Sequence, residues 1–409
     1  MEKLVYLLTI MSLSMALLVP LRGQCEAARA AAAAATRCHA GSKAGKQKQQ
    51  PQVEGMFVFG SSLVDNGNNN FLNGSGVRAD YLPYGVDFPL GPSGRFSNGR
   101  NVIDALGELL GLPGLVPPFA DPRTRRARAA LLRGVNFASG GSGILDHTGQ
   151  VTGEVVSLRQ QITNFESVTL PDLRAQLRGP AAAANHGRVK GQGSFHQCYL
   201  SKCLFVIGTG GNDYLLNYFN PRKNYGTEGG PPLSEFTTSL ITKLSHHLQR
   251  LYGLGARKFV IFSIQPTGCT PVVRAFLNIT GAACIEPVND AVALFNSELR
   301  RLVEGGARPR MPAARFAYIN SYKIIRDMLD HPAKLGIRET SRACCEMSRS
   351  SSGVLCKKQG PVCRDRTEYV FFDGLHPTDA VNARIARKGY GSRSPDHAYP
   401  INVKKLAML

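Results

Sequence analysis

Val58-Phe59-Gly60-Ser61-Ser62-Leu63-Val64-Asp65-Asn66-Gly67-Asn68 closes an apolar run that begins at Met56, and the run stops abruptly in a small, polar turn. A short apolar run that ends this way reads as a buried parallel strand delivering a side chain to the carboxyl edge of an α/β sheet. Ligand chemistry in open sheets of this kind gathers at that edge. Ser62 is the side chain delivered, and it is a candidate nucleophile.

A serine hydroxyl is inert until a base takes its proton and donors hold the oxyanion that follows. The rest of the chain must supply both. Phe371-Phe372-Asp373-Gly374-Leu375-His376-Pro377 carries an acid and an imidazole three positions apart. Within one turn the carboxylate can reach one ring nitrogen while the other faces the sheet edge, which is the acid–base half of a catalytic triad. Pro377 stiffens that turn.

Composition sets the class. The chain has 409 residues, 43% hydrophobic and 19% charged, which is ordinary globular usage with ample material for a core and excludes disorder throughout. The net charge of +20 is spread along the chain. Its densest short run, Arg123 to Arg128, is flanked by proline and carries neither interleaved aromatics nor a nucleic-acid motif, so a dispersed basic surface is expected and no nucleic-acid partner.

At the N-terminus, Lys3 precedes the apolar stretch Leu4 to Leu21, followed by Arg22 and small residues. This is the pattern of a secretory signal, assigned to residues 1–28 with cleavage between Gly23 and Ala30. Ser12, Ser14 and Pro20 interrupt the stretch, and no later segment is long and apolar enough for a stable membrane span. Residues 29–52 are Ala-rich, then Gly-, Lys- and Gln-rich, and read as a low-complexity linker. Residues 53–409 form the expected catalytic domain, and a monomer is expected.

Secretion gives the ten cysteines a role as disulfide formers. Cys269 and Cys284 bracket a short loop and read as one bridge. Cys344, Cys345, Cys356 and Cys363 allow one or two more, with the pairing open. The spacings of a zinc site are absent from this cluster, and no metal or cofactor is expected. Two sequons, Asn73-Gly74-Ser75 and Asn278-Ile279-Thr280, mark Asn73 and Asn278 for N-glycosylation.

Between these points strands and helices alternate. Val102 to Leu110 reads as a helix stopped by Gly111 and Pro113. Leu131 to Phe137 reads as a second strand, running into the glycine turn Ala138-Ser139-Gly140-Gly141-Ser142-Gly143-Ile144. A helix follows from Leu158 to Leu177, then a compositional break over Gly179 to Gln197 that reads as a surface insertion. Cys203 to Ile207 is a strand ending in Gly208-Thr209-Gly210-Gly211-Asn212-Asp213. There Asn212 is an uncharged donor of the kind an oxyanion hole uses. Helix Ser234 to Tyr252, strand Lys258 to Ser263, helix Ile285 to Val303, strand Phe316 to Ile319, helix Tyr322 to Leu329, strand Tyr369 to Phe372 and helix Asp379 to Lys388 complete the pattern. Such alternation predicts a parallel sheet covered on both faces.

Four separated blocks are now in view: Phe59-Gly60-Ser61-Ser62-Leu63, the Ala138 to Ile144 turn, Gly210-Gly211-Asn212-Asp213, and Asp373-Gly374-Leu375-His376-Pro377. In this order, together with Cys269-Thr270-Pro271, Cys344-Cys345 and Pro400-Ile401-Asn402, they resemble the plant-type GDSL esterase/lipase family within the SGNH hydrolases. The resemblance runs from Val53 to the C-terminus. It implies a three-layer α/β/α sandwich with a flavodoxin-like central parallel sheet of about five strands. It also implies secreted ester hydrolysis without a metal, acting on a lipid or an acylated cell-wall component. Ser62 becomes the nucleophile and, through its N–H, an oxyanion donor. Gly141 adds a second N–H, Asn212 a side-chain amide, His376 the base and Asp373 its orienting acid. One departure stands out: the family's Gly-Asp-Ser-Leu signature here reads Gly60-Ser61-Ser62-Leu63, with serine in place of the acid.

An α/β-hydrolase of the nucleophile-elbow kind would need G-x-S-x-G, and Val64 occupies the second glycine position. The non-enzymatic alternative is a secreted lipid- or carbohydrate-binding protein on a weakened hydrolase scaffold. Binding alone has no use for a paired nucleophile and base.

Overall fold

Five short strands build the main sheet: β1 (Met56–Gly60), β2 (Leu204–Gly208), β3 (Lys258–Phe262), β4 (Arg315–Ile319) and, after two strands elsewhere, β7 (Ala398–Tyr399). The computed structural model describes residues 51–183, 194–220, 230–276, 283–349 and 353–409. The expected signal, most of the linker, Cys25, Cys38, Asn278 and the centre of the Gly179–Gln197 insertion lie outside the described residues. Gln52, the last residue of the expected linker, already joins the fold through its N–H to Leu110 O (3.0 Å) and its side chain to Tyr390 (2.7 Å).

The order in space is β1-β2-β3-β4-β7, parallel except for the antiparallel edge β7. Side chains alternate across it, as a pleated strand requires. Phe57, Phe59, Phe205, Ile207, Phe259, Ile261, Phe316 and Tyr318 face one core. Helices Leu158–Asn164, Leu233–Leu254 and Glu286–Arg301 cover them. Met56, Val58, Leu204, Val206, Val260, Phe262, Ala317 and Ile319 face the other. There the cover is Val102–Leu109, Ser321–Asp330, Asp379–Gly391 and Val403–Met408. This is a three-layer α/β/α sandwich.

Two expectations need correction. Leu131 to Phe137 is not a regular strand. Leu131 ends the short helix Arg128–Leu131, and only Asn136 makes ladder bridges, to Val58 and Pro118. Gly134 is the reason: at φ +109° it presses on Met56, where a Cβ would sit 1.9 Å from the Met56 carbonyl oxygen, so the pleat breaks there. The segment still follows the outer side of β1, with Val58 N–H donating to Val135 O (3.0 Å) and Phe137 N–H to Val58 O (2.7 Å). Counting it, the chain lays down its second segment on one side of β1 and everything later on the other. That reversal is a topological switch point between β1 and β2, where open sheets bind ligands.

The second correction concerns Tyr369–Phe371 (β6), which lies outside the main sheet. It pairs in parallel with β5 (Glu339–Ala343), an element that sequence reading did not find. Two disulfides, Cys344–Cys363 and Cys345–Cys356, staple this region, and Cys269–Cys284 is bridged as expected. The four clustered cysteines are therefore consumed in sulfur–sulfur bonds and hold no metal. The expected insertion opens as helix: Leu170–Ala183 continues past Gly179 and Pro180, and Ser194–Ser201 follows.

Candidate active site

β1 and β2 end level with each other, Gly60 opposite Gly208. A Cβ on Gly60, which has φ +140°, would stand 2.1 Å from the Gly208 carbonyl oxygen, so only glycine lets the two strand ends close up. Beyond this pair the chain turns and presents Ser62, 7% exposed. Gln161 fixes the turn from below: its Oε1 accepts the Gly60 N–H (2.8 Å) and its Nε2 donates to the Gly60 carbonyl (2.9 Å).

The Asp373–His376 turn comes to the same edge. It is a tight reversal in which Phe371 bridges Pro377 and the Phe372 N–H donates to His376 O (2.8 Å). Asp373 Oδ1 accepts the N–H groups of Leu375 (2.8 Å) and His376 (2.7 Å), which sets the carboxylate against its own loop. His376 Nδ1 lies 2.9 and 2.8 Å from the two carboxylate oxygens, and Nε2 lies 2.7 Å from Ser62 Oγ, across 314 positions of sequence. Asp373 is fully buried and His376 4% exposed. The Phe96 ring lies on the imidazole with centroids 4.9 Å apart, keeping water from that face.

Gly141 reaches the site from the segment beside β1, and Asn212 from the end of β2. The Asn212 Nδ2 donates to Ser142 O at 2.9 Å, which orients the amide and leaves its second hydrogen uncommitted. Among the described residues, the backbone N–H groups of Ser62 and Gly141 have no acceptor, whereas the neighbouring Ser61 N–H is used by Gly208 O (2.9 Å). An oxyanion hole needs such uncommitted donors.

Two buried acids that sequence reading did not single out hold the Gly141 turn. Asp65 takes the N–H groups of Gly67 (2.7 Å) and Asn68 (2.9 Å) on one oxygen and that of Gly140 (2.9 Å) on the other. Asp213 takes Ile144 N–H (2.8 Å), Leu145 N–H (3.0 Å) and the Thr148 hydroxyl (2.7 Å). Burial pushes both carboxyls up to about 6, against the opposing pull of those donors. Tyr84 is a third unanticipated neighbour, its hydroxyl donating to Asp373 Oδ2 at 2.7 Å. The acids stand within motifs already singled out, and that proximity was the one available signal. Tyr84 sits in a turn-rich stretch that offered none.

Ser62 and His376 open on two spaces. One is a small cavity of about 60 Å³ bounded by Ser61, Thr209, Ile264 and Gln265. The other is a groove of about 440 Å³ walled by Val77, Val151, Leu215, Leu216, Val354 and Leu355. Asn73, expected from its sequon to carry a glycan, is exposed. No group of three His, Cys, Asp or Glu side chains placed to hold a metal occurs among the described residues, and no helix among them is long and apolar enough to cross a membrane. Chemically, the arrangement can take a proton from a serine, hold a developing oxyanion with neutral donors, and return the proton to a leaving group.

The chain matches the family model described as GDSL-like Lipase/Acylhydrolase over residues 56–388. It is 39% identical over 364 residues to GDSL esterase/lipase At1g29670 of Arabidopsis thaliana, covering 89% of this chain and 94% of that one. It is 38% identical over 363 residues to GDSL esterase/lipase 7 of the same plant, covering 88% and 93%.

Proposed function

The chain belongs to the GDSL-like lipase/acylhydrolase family and is a carboxylic ester hydrolase, and from that premise we propose that it is a secreted esterase/lipase working through an acyl-enzyme on Ser62. His376 Nε2 takes the Ser62 proton as Oγ attacks the ester carbonyl. The Ser62 and Gly141 N–H groups and the Asn212 amide receive the oxyanion. Asp373 keeps the imidazole in the tautomer with hydrogen on Nδ1 and steadies the imidazolium. The same imidazole then protonates the leaving alcohol, and water reverses the sequence to free the acid.

One observation carries the proposal: a base held by a buried carboxylate stands 2.7 Å from a serine oxygen beside unused donors. The apolar groove suits the acyl part of a lipid or an acylated wall component. Secretion is supported by the leader-like residues 1–28 and by the disulfides Cys269–Cys284, Cys344–Cys363 and Cys345–Cys356. The domain is taken as residues 53–409, following a linker over 29–52.

A fluorophosphonate probe followed by mass spectrometry of the labelled peptide tests the proposal. Label on Ser62, with ester turnover lost in Ser62→Ala, is the expected result. Folded wild type and Ser62→Ala with equal, negligible turnover and no label would overturn it in favour of a binding role.

A further inference from the structure

Building on the Ser62 reading, we infer that Tyr84 is a positioning residue for the reaction, fixing the Asp373 carboxylate through a hydroxyl that the disulfide-stapled Cys356 segment holds in place.

The two oxygens of Asp373 are held differently. Oδ1 is tied by two N–H groups of its own turn, so it moves with His376. Oδ2 is tied from outside, by Tyr84 at 2.7 Å across 289 positions of sequence. Without that bond the carboxylate could swing about its terminal torsion, which is broad for aspartate. Oδ2 would then lose its fixed place beside Nδ1, while Oδ1 stays tied to the turn that carries it.

Tyr84 has no freedom to donate elsewhere. Its ring is fully buried and meets Tyr81, Phe96 and Phe372 edge-on, at centroid distances of 5.4, 6.0 and 5.7 Å. Its oxygen accepts the Cys356 N–H at 3.1 Å, and Cys356 is bonded to Cys345. With a lone pair engaged there, the single hydroxyl hydrogen goes to Asp373. Burial, and then the Asp373 charge, push the phenol well above its ordinary range, so it remains a donor at any working pH. A continuous line therefore runs from Cys356 N–H through Tyr84, Asp373 and His376 to Ser62 Oγ.

The line has a chemical consequence. A donor on Oδ2 drains charge from the carboxylate, so the carboxylate holds the imidazole proton less tightly. Removing the donor strengthens that hold and frees the carboxylate to turn. For Tyr84→Phe, kcat on a short acyl ester should fall about tenfold with KM within about twofold, the loss of one hydrogen bond to a charged group. The acid limb of kcat/KM should move to higher pH by about 0.5. Tyr81→Phe is the control. Tyr81 sits in the same aromatic cluster but donates to Cys356 O (3.0 Å), away from the carboxylate, so its pH profile should match wild type. A fluorotyrosine at position 84 keeps the shape with a stronger donor and should move the limb to lower pH, and it serves even if Tyr84→Phe does not fold. An unmoved limb in the position-84 variants, or the same shift in Tyr81→Phe, overturns the inference. Turnover that survives Ser62→Ala removes its premise instead.

Discussion

Asp213→Asn should gain stability relative to wild type as pH rises from about 4 to 7, and it should be a poorer catalyst. The carboxyl is fully buried and takes two backbone N–H groups and the Thr148 hydroxyl of the turn that follows Gly141. Burial outweighs those donors and raises the group from 3.8 to about 6. A folded-state value above the unfolded one means the folded protein binds that proton more tightly. The group's stabilisation is then fully present below about pH 4 and lost as pH rises through about 6. The span is worth about 3 kcal/mol. Near pH 4 wild type carries the neutral acid, so the difference there is only the cost of exchanging a carboxyl, whose hydroxyl oxygen still accepts an N–H, for an amide whose NH₂ cannot. Asn does not titrate. By pH 7 the variant should therefore gain about 3 kcal/mol on wild type, read by urea unfolding at pH 4, 5, 6 and 7 with unchanged m-values. Its amide must face one of the two N–H groups with its own NH₂, so the Gly141 turn loses an anchor and kcat should drop. A difference in stability that stays flat across the range, or that moves in favour of wild type as pH rises, would mean that the donors outweigh burial and would refute the reasoning.

Two further substitutions separate chemistry from scaffold. Asn212→Ala removes one of the three proposed oxyanion donors and should lower kcat about a hundredfold to a thousandfold with little change in KM, measured on a short acyl ester. Arg95 and Asp104 form a bidentate pair at 2.6 and 2.8 Å with side chains 5% and 0% exposed. Arg95→Met strands a buried carboxylate and should cost about 3–5 kcal/mol in urea unfolding, whereas Arg95→Met with Asp104→Leu should recover much of the loss.

The sheet was legible because its strands carry their own evidence. Phe57 to Phe59, Phe205 to Ile207 and Phe259 to Ile261 are short apolar runs, each ending in small or polar residues, and a buried parallel strand has no polar face to disguise it. The same rule misled at Leu131 to Phe137, where the apolar content is genuine but one glycine breaks the pleat. The Asp373–His376 contact was legible because it lies within a single turn. The bonds of Tyr84, Gln161 and Asp65 to the site span 289, 101 and 75 positions, and no local pattern encodes which distant backbone group will arrive beside them. Nor does spacing choose among the three ways of pairing four cysteines. Packing of the Tyr81 to Phe96 stretch against the stapled loop accompanies the observed choice, Cys345 with Cys356 and Cys344 with Cys363.

The serine at position 61 is best understood from what the structure asks of that position. Its N–H closes the strand pair by bonding to Gly208 O, a contact any residue but proline can make. Its side chain is half-buried at the mouth of the small cavity, with Oγ 3.5 Å from the same carbonyl, too long to hold the turn. The anionic work in this loop is done three residues past Ser62. Asp65 gathers Gly67 and Asn68 from its own turn and Gly140 from the neighbouring one, binding the segment that bears the serine to the segment that bears Gly141. A neutral side chain at 61 thus leaves the Ser62, Gly141, Asn212, Asp373 and His376 groups where they are, because none of them is held by the side chain of residue 61. What the exchange does alter is the charge beside the small cavity, while the 2.7 Å approach of base to hydroxyl is set by other residues.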